Sequence, residues 1–136
     1  MSGATGLRIL VVNDDGYRAK RLQEVLWTNG YETLAAERRL ALSVARDERP
    51  DVIVLALGPG DAGGRALAGR IFERLADYRP LVVALVDPGD PDAGNHAFGV
   101  GAHLVLTNPV DLTILTGILR RFSEVLDGVR RPQTVG

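Results

Sequence analysis

Apolar runs of strand length alternate along this chain with stretches whose apolar residues recur every three or four positions. The two periods separate strands from helices. Residues 7–12, Leu-Arg-Ile-Leu-Val-Val, form an apolar run halted by the turn cluster Asn13-Asp14-Asp15-Gly16. Ala19, Leu22, Val25 and Leu26 follow at helical spacing, and Asn29-Gly30, residues that tolerate positive φ, close that helix. Residues 31–37 read as a short, less hydrophobic strand near a sheet edge. A second helix over 40–49 stops at Arg49-Pro50, because the residue before a proline is disfavoured in helical geometry.

The strongest strand is 51–57, apolar almost throughout, as expected of a parallel strand covered on both faces. A loop over 58–64 leads to a helix over 66–78 with Leu67, Ile71 and Leu75 on one face. Residues 81–86 form another apolar strand, followed by a Pro/Gly/Asp loop over 87–92 and a short, glycine-weakened helix over 93–100. Leu104-Val105-Leu106 is the last strand. Asp111 caps a final helix in which Leu112, Leu115, Leu119, Phe122 and Leu126 share a face. Five strands alternating with five helices predict an α/β domain over 7–127, with helices on both faces of a parallel sheet. Residues 1–6 and 128–136 are expected to be flexible termini. In such a sheet, sites form beyond the carboxyl ends of the strands, which selects residues 13–16, 56–61, 86–87 and 107–109.

Composition narrows the chemistry. Sixteen basic against 17 acidic residues leave a formal charge of −1, so no net attraction to nucleic acid or an anionic membrane is expected. The absence of cysteine excludes disulfides, a thiolate nucleophile and cysteine-ligated metal. His96 and His103 are too few and too far apart for a histidine-rich centre and read as surface or partly packed residues. No apolar run reaches the roughly 18 residues of a membrane span, and Met1 to Gly6 lack a secretory pattern, so a cytoplasmic domain is expected.

The strand-end motifs, taken in order, resemble the receiver domain of bacterial two-component response regulators over residues 7 to 127. The carriers are Ile9-Leu10-Val11-Val12-Asn13-Asp14-Asp15, Arg49-Pro50-Asp51-Val52-Ile53-Val54-Leu55, Phe98-Gly99-Val100-Gly101-Ala102, and Leu106-Thr107-Asn108-Pro109 with Asp111-Leu112. The resemblance implies a flavodoxin-like three-layer sandwich, its five-stranded parallel sheet in the order 2-1-3-4-5 with five helices. It also implies an acidic pair holding Mg²⁺ and an acceptor aspartate ending the third strand. A Ser or Thr ends the fourth strand, and a Lys precedes a proline after the fifth. In the family, metal and lysine neutralise the phosphoryl oxygens and the hydroxyl follows the phosphoryl group.

This chain departs from that set. The acid pair falls on Asn13 and Asp14, with Asp15 beside them, and the acceptor position falls on Ala56, which has no oxygen to phosphorylate. The hydroxyl position falls on Val86, the lysine position on Asn108, and the switching aromatic on Val105. Asp51 lies at the wrong end of its strand, and Asp61, on a glycine-rich loop, is not preorganised to substitute. The reading is a degenerate receiver that keeps the fold and has lost the chemistry. No catalytic residue and no resident cofactor are expected, although the adjacent Asp14 and Asp15 suit weak Mg²⁺ binding.

Other signals compete. Arg8 to Gly16 also resembles the N-terminus of the stationary-phase survival nucleotidases, where Asn-Asp-Asp-Gly supplies metal ligands; a strand-ending turn with solvated carboxylates explains it more simply. Gly58, Gly60 and Gly63 spell G-x-G-x-x-G after a strong strand, with Asp87 further on, the context of a dinucleotide site. Its place on the third strand, and Pro59 inside it, count against that reading. Arg18, Lys20, Arg21, Arg38 and Arg39 read as solvated helix faces, and Trp27 as packing.

The expected function is a phosphorylation-independent signalling module acting by contact with other signalling proteins. The resemblance points to a face made of the fourth helix, fifth strand and final helix, through which a homodimer could also form. Val105, Leu112, Ile114, Leu115 and Ile118 are its candidate residues, because Ile114 and Ile118 widen the apolar stripe beyond one packed face. Because the domain consumes nearly the whole sequence, any output is expected on another chain. The alternatives are a small-ligand or dinucleotide sensor in the strand-end cleft, favoured by the missing carboxylate at position 56, and a Mg²⁺-dependent phosphatase on Asp14 and Asp15.

Overall fold

Strict alternation in the central strands sorts their side chains into two cores. The computed structural model describes residues 7–58, 62–87, 89, 102–108 and 110–130. The elements run β1 (Arg8–Val12), α1 (Gly16–Thr28), β2 (Glu32–Ala36), α2 (Arg38–Glu48), β3 (Val52–Leu57), α3 (Ala62–Arg74), β4 (Leu81–Val86), β5 (Leu104–Thr107) and α4 (Leu112–Arg130). All pairings are parallel, in the order β2-β1-β3-β4-β5. Leu10, Val12, Ile53, Leu55, Val82 and Ala84 face one side, where they pack with Ala41 and Ala45 of α2 and Leu67 and Ile71 of α3. Ile9, Val11, Val52, Val54, Val83 and Leu85 face the other, packing with Leu26 of α1 and Leu115 and Leu119 of α4. The result is the three-layer, flavodoxin-like arrangement expected. Four helices lie among the described residues; the helix expected over 93–100 falls outside them.

The edges behave as their composition predicts. β2 and β5 are partly exposed, whereas β1, β3 and β4 are buried along almost their whole length. The helix ends have identifiable causes. Asn29 caps α1, its Nδ2 donating to Val25 O at 2.8 Å, and Gly30 adopts φ +90° to release the chain into β2. Arg49 takes the left-handed conformation (φ 49°) before Pro50. Its guanidinium lies 4.3 Å from the Tyr78 ring centroid and 3.5 Å from Asp77, which helps offset the backbone cost.

Several helix boundaries differ from the sequence expectation. α3 begins at Ala62 rather than 66, because Gly63 and Gly64 enter its first turn without side chains to mark the period. It ends at Arg74 rather than 78, and Tyr78 instead donates its hydroxyl to Ala45 O at 3.2 Å, tying the turn to α2. α4 runs on through Arg130, past the domain end expected at 127. Among the described residues no helix is long and apolar enough to cross a membrane.

Candidate functional site

The carboxyl ends of β1 and β3 carry Asn13 and Ala56 on the sheet face covered by α1 and α4, two residues beyond the inward-facing Val11 and Val54. β4 continues the same phase through Leu85 to Asp87, and β5 through Leu106 to Asn108. These four ends, α1, Arg38 at the start of α2, and Val110 and Leu112 line an open cavity of about 760 Å³. Its aliphatic wall includes Val11, Leu22, Val25, Val54, Leu85 and Val110, and its polar lining is Asn13, Asp15, Arg18, Arg21, Arg38, Asp87 and Asn108.

The turn after β1 is fixed by its own side chains. Asn13 Oδ1 accepts from the Asp15 backbone N–H at 2.9 Å, forming an Asx turn. Asp15 Oδ1 accepts from the Tyr17 and Arg18 N–H groups at 3.1 and 3.2 Å, capping α1. Asp14 turns the other way and accepts from the Arg38 N–H at 2.9 Å, on the first residue of α2. Glu37, at the cap position of α2, makes no such bond itself. The two carboxylates therefore serve two different helix N-termini, where negative charge is favoured.

Arg38 then reaches over the end of β3, its Nη2 donating to Ala56 O at 2.8 Å. Arg18 Nε lies 3.5 Å from Asp15 Oδ2, and Arg21 Nη1 contacts the Tyr17 hydroxyl at 3.3 Å. That hydrogen bond pushes the Arg21 pKa further up. On the far wall Asn108 Nδ2 donates to Asp87 Oδ1 at 3.2 Å, and Asn108 N–H donates to Val86 O at 2.8 Å. Three guanidinium groups thus face two carboxylates, each of which has a hydrogen-bond donor.

Of the residues selected from sequence, Asn13, Asp15, Ala56, Gly58, Asn108 and Leu112 line the cavity. Val86 does not: it is buried in the core on the opposite sheet face, and the site-facing residues of β4 and its continuation are Leu85 and Asp87. The period of two along 81–87 puts Asp87, not Val86, in phase with the site-facing Leu85. Gly63 is exposed in the first turn of α3, and Gly60 and His96 lie outside the described residues. His103 is structural, its Nδ1 accepting from the Val82 N–H at 2.9 Å.

The interface candidates also divide. Leu115 is fully buried in the core and cannot meet a partner, and Val105 is half-buried against the α2–α3 layer. Ile114 (51% exposed) and the half-buried Ile118 share an outer stripe with Val125 (61% exposed), at spacings of four and seven. Trp27, expected to pack, is 68% exposed. Arg18, Arg21 and Arg38, expected to be merely solvated, converge on the cavity; nothing in their local sequence distinguishes them from other surface arginines.

No family model matches this chain. Solved structures do. The signal receiver domain of a signal transduction histidine kinase from Syntrophus aciditrophicus is 26% identical with a TM-score of 0.76, the match covering 96% of this chain and 98% of that one. A protein described as a response regulator from Chloroflexus aurantiacus is 25% identical, TM-score 0.74, over 87% of this chain and 98% of its own. The Vibrio cholerae chemotaxis protein CheY4 is 23% identical, TM-score 0.73, over 85% of this chain and 97% of its own. This chain has the fold of response-regulator receiver domains.

The Mg²⁺ ion that a receiver implies does not fit the residues present. Asp14 and Asp15 are directed to separate helices, a guanidinium holds the Ala56 carbonyl, and among the described residues no three acidic or histidine side chains converge on a point.

Proposed function

We propose that this receiver-type domain is a cytoplasmic signalling module whose state does not depend on phosphoryl transfer. The observation that carries the reading is Ala56 at the acceptor position, its carbonyl held by Arg38. An alanine cannot form an acyl phosphate, and Asn108 cannot supply the cation that a lysine would. The domain therefore turns over no substrate of its own. Its output is contact with another signalling protein or a second copy, through the outer stripe of α4 at Ile114, Ile118 and Val125; this exposed apolar line supports the assignment.

Incubation with acetyl phosphate and Mg²⁺, or with beryllofluoride, is expected to add no phosphoryl mass and to leave the oligomeric state unchanged by intact mass spectrometry and light scattering. Stoichiometric phosphorylation would overturn the reading.

A second reading, a sensor for a small molecule, is favoured by the cavity itself. The dinucleotide form of that idea draws less support, since Gly63 lies within α3 and only Gly58 of the described motif glycines lines the cavity.

A further inference from the structure

We infer that the strand-end cavity is a binding site for a small amphipathic organic anion, an acyl or aryl acid. Its head group faces Arg18, Arg21 and Arg38, and its apolar body lies along the aliphatic wall of α1 and the sheet. The volume, about 760 Å³, is that of a cavity holding a drug-sized molecule, which typically needs roughly 300–1,000 Å³. The lining has two characters: Leu22, Val25, Val54 and Leu85 make one side, while the three guanidiniums stand at the strand ends. A ligand that is apolar throughout would leave the charged end unmatched, and an inorganic ion would leave the aliphatic wall bare.

The sign of charge follows from the pairings already described. Asp15 is engaged with the N-terminus of α1 and with Arg18, Asp87 with Asn108, and Arg38 with the Ala56 carbonyl, so the three guanidiniums outnumber the two carboxylates of the described lining by one. Arg18 and Arg21 rise from successive turns of α1, and Arg38 approaches from α2. Guanidinium groups bind planar carboxylate, sulfonate or phosphate heads through paired donors. Ala56 fits this reading, because an aspartate there would add a like charge beside the head group and occupy part of its space. No aromatic side chain occurs among the described lining residues, so the wall suits an alkyl or aryl body better than a nucleobase seeking a stacking partner.

The inference rests on the phosphorylation-independent reading and extends it by naming the input. A ligand seated here touches α1, Arg38 and Leu112, at the start of the same helix that carries Ile114. Occupancy would thus reach α4 directly, where a phosphoryl group acts in other receivers.

The test uses two fluorescent probes, anilinonaphthalene sulfonate and its uncharged counterpart N-phenylnaphthylamine, titrated into the whole chain. The sulfonate is expected to bind saturably at one site, about tenfold or more tighter than the neutral probe. Arg38→Gln and Arg18→Gln should each weaken the sulfonate several-fold and leave the neutral probe unchanged, and Ala56→Asp should do the same. Val25→Phe, which fills the wall, should abolish both signals, with far-UV circular dichroism confirming the fold of every variant. Equal affinity for the two probes, arginine variants without effect, or full binding by a folded Val25→Phe protein would each overturn the proposal. Acetyl phosphate labelling of the unmodified chain reports separately on the underlying reading, so failure of one is not mistaken for failure of the other.

Discussion

Replacing Asp14 by alanine separates a helix cap from a metal ligand by the sign of its effect. Asp14 Oδ1 sits 2.9 Å from the Arg38 N–H, across 24 residues of chain, and provides the cap that Glu37 does not. Removing an N-cap acceptor costs about 0.5–2 kcal/mol, and the carboxylate's interaction with the helix dipole accounts for roughly 0.3–1 kcal/mol within such figures. The bond also ties the β1–α1 turn to α2, so a loss of about 1–2 kcal/mol is expected, or a fall in Tm of about 3–8 °C for a domain of this size. Asp14→Asn keeps an acceptor and loses the charge, and should fall between the two proteins. Urea unfolding followed by far-UV circular dichroism, with and without millimolar MgCl₂, reads the result. As a cap, Asp14→Ala lowers the midpoint equally in both buffers. As half of a metal site, Asp14 would repel Asp15, and its removal would raise the midpoint without metal and abolish a Mg²⁺-induced gain. A midpoint that is unchanged, raised or Mg²⁺-sensitive refutes the capping account.

Two further outcomes test the packing and the titration of the fold. Leu119→Ala, in the core beneath α4, should cost about 2–5 kcal/mol, and Ile114→Ala, on the exposed stripe, no more than about 0.5 kcal/mol; comparable losses in urea unfolding would place Ile114 in the core instead. Burial pushes the Tyr78 pKa up to about 12 from its ordinary 10, against the opposing charge of Arg49. The folded state therefore holds that proton more tightly, and the stability it contributes is complete below pH 10 and lost as pH rises towards 12. The loss is at most about 2.7 kcal/mol for two pH units, reduced by the solvent that reaches this half-buried ring. Tyr78→Phe should flatten the urea midpoint over that interval, and an unaltered slope would refute the assignment.

What could be read from sequence follows the strength of the hydrophobic period. β1, β3 and β4 alternate between two buried faces, so their extent was visible as apolar runs, and the weaker run at β2 marked one edge. Asp111 was visible as a cap, and its Oδ1 accepts from Thr113 and Ile114 N–H groups. α3 began out of register with the expectation because glycines carry no apolar period. Leu115 and Ile114 were grouped because both are apolar, although one helical step places one in the core and the other in solvent. At the site, Ala56 and Asn108 could be located by motif, whereas Val86 was one residue out of phase and therefore on the wrong face of the sheet. Arg38 was unreadable for a different reason. Its role depends on the crossing of α2 over the end of β3, a tertiary relation that no local pattern encodes.

That crossing links the missing residues to one another. A receiver site of the usual kind gathers carboxylates and needs added cations, a metal and a lysine, to neutralise them. Here Asn13 and Ala56 withdraw two of the negative charges, and Asp14 and Asp15 commit the others to helix N-termini. A guanidinium can then lie against the end of β3 with a backbone carbonyl as its partner, as Arg38 does. An aspartate at position 56 would instead form an ion pair with that guanidinium, lowering its reactivity as a nucleophile and blocking approach of a metal. Restoring the acceptor alone would therefore rebuild a salt bridge rather than a phosphorylation site. On the proposed phosphorylation-independent reading, the residues at 13, 56 and 108 and the arginine at 38 form one arrangement of charge. The described lining then carries three guanidiniums against two carboxylates.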